Sequence, residues 1–316
     1  MASLSDVNTS ATRTGALRNR RFTLQQRRTI TGYLFVSPFI LGFIFWFLIP
    51  AAVAFYLIFQ NWNMMSAPQF VGLDNVAHLF HDPLLGDSLK ATITYSIVSV
   101  PVGLAVSFCL ALLLNTRVRG IGIFRTIYYL PTIVPAVANA VLWSWILNTE
   151  FGLMNVVLRG IGFGKVRWLQ DPSIALTSLM IITLWSVGGA MIIFLAGLQG
   201  IPDMYYEAAE IDGANSADKL LHVTLPLMSP IIFFNLIIGI INSFQVFTNA
   251  FLITNGGPNN STLFLTLYIY RTAFQSFDMG YAATLSFLMF FILMILSLVV
   301  FRFFGRRVFY ENPGAD

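Results

Sequence analysis

The polar side chains gathered at residues 207–230, EAAEIDGANSADKLLHVTLPLMSP, are those most able to do chemistry. Glu207, Glu210 and Asp212 precede Asp218, Lys219 and His222, and the stretch closes on Leu225-Pro226. On a helix Glu207 and Glu210 share one side at i, i+3. Met204, Ala208 and Ile211 line another at i, i+4, i+7. The small pair Ala208-Ala209 permits close approach of a neighbour. The spacing predicts two short helices. The first runs from Asp203, a candidate cap, to about Asp212. Gly213 suits the left-handed position that ends it. Ser216 or Asp218 can cap the second, which runs toward Val223, and Pro226 then marks a return toward apolar sequence. Such an acidic, partly apolar knob can dock on a soluble partner. It can equally be an interfacial link between the two apolar runs that flank it.

Other chemistry is hard to assemble. The Walker A pattern does not occur; GIGFGKV (160–166) misplaces its first glycine and follows the lysine with valine. His78 and His81 share a helical face beside Asp82, but a solvated turn before Pro83 is the simpler reading. The single cysteine, Cys109, has no intramolecular partner for a disulfide. No apolar run carries an internal acid of the kind a proton or sodium path uses. Nothing converges as an acid, base or metal set, so the chain is expected not to be an enzyme, to hold no metal and to bind no cofactor of its own.

These residues sit in a chain that is 57% hydrophobic and 10% charged, against about 25% charged in an average soluble protein. So few charges predict an integral membrane protein. Apolar runs long enough to cross a bilayer place six all-α spans at 31–59, 89–114, 127–147, 173–198, 228–253 and 281–304. Arg13, Arg18, Arg20, Arg21, Arg27 and Arg28 weight the N-terminal tail. Setting that tail in the cytoplasm puts most of the 18 basic residues inside, both termini with them, and the polar cassette too. The tail reads as a topology signal with attraction to anionic headgroups rather than as a nucleic-acid arm. No cleavable leader is expected. The division is a basic tail, 1–30, a transmembrane domain, 31–304, containing the cassette 203–226, and a second cytoplasmic tail, 305–316.

Polar uncharged residues inside spans are the remaining candidates. In the fifth span, Asn242, Gln245 and Asn249 fall on one helical face at i, i+3, i+7, near Asn235, Ser243 and Thr248. Asn139 and Trp143 are spaced i, i+4 in the third, where Pro131 and Pro135 predict a kink. These groups can bind a solute, or they can hydrogen-bond between helices. Trp46, Trp62 and Tyr56 fit an interfacial belt.

The cassette resembles the EAA motif of binding-protein-dependent ABC importer permeases through Glu207, Ala208, Ala209, Gly213, Leu225 and Pro226. YLFVSPFILGFIFWFLIP (33–50), FRTIYYLPTIVPAV (124–137) and FLITNGGPNNST (251–262) are similar to segments of the carbohydrate-uptake members, close to the maltose-type first permease subunit. The resemblance covers roughly 30–304. It implies a type I importer permease fold in a bacterial or archaeal cytoplasmic membrane. The implied partners are a second permease subunit, two ATPase subunits carrying the ATP and Mg, and an extracytoplasmic sugar-binding protein. The cassette would be the coupling helix, with Asp212 beside the turn. The resemblance also places Asn242 and Ser243 on sugar-contact positions, and Trp185, Ser186 and Gly188 near them in the fourth span. The large outer domain of the maltose-type subunit is missing here, so contact with the binding protein is expected through 60–88, 148–172 and 255–278. Rival readings are a permease for glycerol phosphate or another small solute, and a self-contained secondary transporter.

Overall fold

In the computed structural model, residues 23–305 are described, apart from Arg117. The basic residues at 13–21 and most of the C-terminal tail lie outside them. The chain divides into two compact units, 1–53 and 54–316. Helix α1, Leu24–Leu57, begins at a capping box in which Thr23 and Gln26 satisfy each other's backbone N–H groups. None of its residues within the first unit is buried.

The second unit continues with a two-residue hairpin, β1 (Gln60–Asn61) and β2 (Gln69–Phe70), paired antiparallel, and with α2, Asp74–Leu79. The transmembrane part then comprises α3 (Pro83–Leu114), α4 (Ile121–Ile133), α5 (Ala136–Ile146), the short α6 (Leu153–Gly160), α7 (Ala175–Trp185) and α8 (Gly188–Gln199). The cassette helix α9 (Asp203–Ile211) leads to α10 (Ser216–Phe244), and α11 (Leu265–Phe274) to α12 (Met279–Phe304).

Among the described residues four helices, α1, α3, α10 and α12, are long and apolar enough to cross a membrane. Two bent pairs, α4–α5 and α7–α8, bring the number to six if each pair is one span. The kink expected in the third span is a 97° bend at Val134-Pro135, whereas Pro131 sits within α4. The fourth span, expected to be continuous, breaks by 46° at Ser186-Val187. The fifth begins earlier than expected and ends at Phe244, not near 253.

α3 is the central post, packed against α7, α8, α10 and α11. Two buried apolar clusters hold it. One, around Leu85, Trp143, Phe264 and Tyr281, lies at the end away from the cassette. The other, around Ala111, Phe194, Leu198 and Met228, lies near it. Even α3 buries only 28% of its apolar window. The rest faces outward, which is stable only in hydrocarbon or against other apolar protein.

Far from being a solvated turn, Asp82 ties three elements together. It caps α3 by accepting from the Leu84 N–H at 2.9 Å. It also accepts from the hydroxyls of Tyr268 (2.5 Å) on α11 and Tyr281 (2.6 Å) on α12. Burial pushes this carboxyl up, but the two phenols and the N–H groups of Leu84 and Leu85 outweigh it and hold Asp82 below its ordinary 3.8. A depressed folded-state pKa adds stability above the ordinary value and loses it as pH falls through the folded one. Asp82→Ala is therefore expected to cost about 1–2 kcal/mol of stability in detergent at neutral pH, discounted for partial exposure. The deficit should be smaller at a pH below the ordinary carboxylate range than at neutral pH. An equal deficit at both pH values would sink the assignment.

Candidate functional site

The cassette forms as a helix-turn-helix. α9 starts after Pro202, so Asp203 is its first residue and not its cap. Gly213 adopts φ +79°, and the Ala214 N–H reaches back to the Ala209 carbonyl at 2.9 Å. The second helix is capped by neither Ser216 nor Asp218. Asn215 caps it, accepting from Ala217 and Asp218 N–H groups at 2.8 and 3.1 Å, while the Asp218 carboxylate accepts from the Asn215 N–H.

Pro226 does not turn the chain. The helix widens into a π turn at Leu220–Thr224, where the Leu225 N–H donates five residues back to Leu220. The wider turn accommodates the missing proline N–H. The cassette's second helix therefore runs straight into the membrane as α10, with Leu225 and Pro226 half-buried. Two contacts brace it. Lys219 Nζ lies 2.6 Å from Glu210, and this hydrogen bond and charge hold the Glu210 carboxyl below its ordinary value. Tyr206 Oη lies 3.1 Å from Thr224 Oγ1, joining α9 to the π turn. Glu207, Ala208, Asp212 and Gly213 are exposed, as are Met204 and Ile211. The cassette thus presents one acidic and one apolar row outward.

The candidate solute residues divide differently from expectation. Because α10 stops at Phe244, Asn242, Gln245 and Asn249 do not share one helical face; Gln245 is the exposed residue at the break. Asn139, Ser186 and Asn249 instead converge, with Tyr95, Thr183 and Thr248, on a cavity of about 260 Å³. Ser186 also borders a second cavity of about 410 Å³ toward the cassette, with Asn242, Ser243, Asn235 and Ser99. The two share Tyr95, Thr183, Ser186 and Val246, so they adjoin, and no charged residue lines either.

Within this cleft Ser243 Oγ is 2.7 Å from Ser96 Oγ, an interhelical bond that occupies both groups. Asn139 Oδ1 and Trp143 Nε1 are buried and have no hydrogen-bond partner among the described residues. Trp143 packs edge-on against Trp185 at 6.0 Å, behind the cleft. Gly188 is buried in packing: a Cβ there would meet the Tyr128 carbonyl at 2.5 Å and Tyr129 Cα at 2.9 Å. The glycine lets α8 approach α4, and it lines neither cavity. Tyr95 and Ser99 were not anticipated. Their signal was a row of hydroxyls along α3 (Ser88, Thr92, Tyr95, Ser99) at helical spacing.

The model of binding-protein-dependent transport system inner membrane components matches residues 99–310. The chain belongs to this family. The permease is 39% identical over 292 residues to the probable ABC transporter permease protein YesP of Bacillus subtilis, covering 91% of this chain and 94% of that one. It is 34% identical to the lactose transport system permease protein LacF of Rhizobium radiobacter, covering 91% and 97%. Its fold matches a crystal structure of a bacterial alginate ABC transporter in complex with an alginate pentasaccharide-bound periplasmic protein. That match has a TM-score of 0.80 at 24% identity and covers 90% of this chain and 98% of that one. The permease is a multi-pass transport component of the cytoplasmic membrane and not an enzyme.

Proposed function

We propose that the permease forms half of the pore of an ATP-driven importer and moves an uncharged sugar delivered by an extracytoplasmic binding protein. A second permease subunit supplies the other half. The cassette 203–226 docks on an ATPase subunit, which carries the ATP and Mg. Both tails, 1–30 and 305–316, lie on that side of the membrane-spanning domain 31–304.

The observation that carries the substrate reading is the cleft. It is charge-free and bordered by hydroxyls and amides, with Asn139, Ser186, Thr183 and Asn249 on its wall. A phosphate ester would need cationic partners that this cleft does not offer. The lactose-transport relative supports a carbohydrate.

Growth of a strain lacking this chain on a panel of sole carbon sources tests the reading. Loss on a neutral oligosaccharide, restored by wild type and not by Asn139→Leu at equal membrane abundance, is expected. Loss confined to glycerol phosphate or an amino acid would overturn it.

A further inference from the structure

Helix α6, Leu153–Gly160, is built inside out. Its anchored side is polar. Asn155 is fully buried, and its Nδ2 donates to the carbonyls of Thr149 (3.1 Å) and Val166 (2.8 Å). Its Oδ1 accepts from the Val166 N–H (3.1 Å) and the Trp168 indole (3.2 Å). All four hydrogen-bonding positions of that amide are used.

The opposite side is apolar and open. Leu153, Val156 and Val157 are 60%, 52% and 59% exposed. With Gly160 they fall in a single arc at helical spacing. A helix facing water carries its polar residues on that arc. The loop residues on either side extend it: Phe151, Ile161 and Phe163 are exposed to a similar degree.

This patch is continuous with the apolar outer face of the third span. Phe151 packs against Trp145 at 6.4 Å, and Trp145 is on α5 beside exposed Val141 and Leu142. The charged groups sit at its edge. Arg159 donates to the Glu150 carbonyl at 3.2 Å, and Lys165 pairs with the Glu150 carboxylate at 2.5 Å.

We propose that α6 lies in the lipid interface at the end of the bundle away from the cassette. Its Leu153–Val156–Val157 face rests among acyl chains, and Arg159 and Lys165 stand at headgroup level. The occupant is lipid and not protein because the arc offers no hydrogen-bonding group to a partner surface and merges with a span's own outer face. Amphipathic helices of this kind settle about 5–10 Å into the boundary between headgroups and chains. α6 would then be a float between the two bent spans, at the outer end of α5.

The test uses the full chain with its sole cysteine removed (Cys109→Ser). Val157→Cys, Phe163→Cys and the hairpin-loop control Ala67→Cys each carry an NBD label in phosphatidylcholine–phosphatidylglycerol vesicles. Lipids brominated near the headgroup are expected to halve emission roughly at 157 and 163, and iodide to quench there about threefold less than at 67. Equal iodide quenching at all three positions overturns the proposal in favour of water. Shielding from iodide without bromine quenching, in the chain alone or in the purified importer complex, overturns it in favour of a protein partner. Val157 and Phe163 are both exposed, so two positions that disagree with the expectation together cannot be blamed on a single misfolded variant.

Discussion

Replacing Glu207 by arginine and Gly213 by proline together is expected to lower ATP-driven uptake roughly 100-fold, near the upper end of ordinary coupling free energies between sites. The chain itself should remain in the membrane at wild-type abundance. The reason is local. Glu207 is exposed and Gly213 stands at φ +79° in open space, so neither supports the bundle. Proline fixes φ near −65° and removes the N–H that donates to the Glu210 carbonyl at 3.0 Å. The turn between α9 and α10 cannot then form. Purification in mild detergent should recover an ATPase and a second permease with the wild-type chain and only the permease with the variant. Co-purification of the ATPase with both, at unchanged uptake, would remove the cassette from the coupling path.

The second large effect distinguishes packing from substrate contact in the fourth span. Gly188→Ala is expected to cost about 3 kcal/mol or more and to reduce folded yield in detergent several-fold, because its new methyl meets backbone that has nowhere to go. Ser186→Ala, two residues away and bordering both cavities, should leave thermal stability within about 0.5 kcal/mol and raise KM for uptake. If Gly188→Ala folds normally and only transport suffers, glycine is a path residue after all, and the close approach of α8 to α4 is not what requires it.

The helical class and the approximate positions of the apolar runs were legible because hydrocarbon leaves little choice: about 20 apolar residues per crossing, with all backbone groups satisfied inside the helix. The cassette was legible for a different reason. Glycine has strong local consequences, and Gly213 adopts the left-handed turn its position required. Proline announced the bend at Val134-Pro135, but the breaks in the fourth and fifth spans could not be read. Nothing local in SFQVFTNA announces that α10 stops at Phe244, and so Gln245 was assigned to a face that does not exist. Pro226 misled in the opposite sense. Its rule is steric, and a π turn one step upstream removes the steric conflict. The cleft was half legible. Asn139, Ser186 and Asn249 come from three separate segments and meet only through the bends at Val134-Pro135 and Ser186-Val187. Asp82 was missed because its partners lie 186 and 199 positions away.

The π turn at Leu220–Thr224 sets an angular phase. Such a turn is one residue longer than regular helix would be, and one residue is worth about 100° of rotation at 3.6 residues per turn. The row of α10 that borders the cleft, Asn235, Asn242 and Ser243, is clocked against the acidic row of the cassette through this turn. Because the wider turn takes up its extra residue within one turn, deleting one residue there would let the segment close as regular helix with the cassette's orientation unchanged, whereas inserting one into the regular helix beyond it would swing the cassette by about 100° around the axis of the span. The relative phase of the chain's two ends is thus fixed at five residues, Leu220–Thr224.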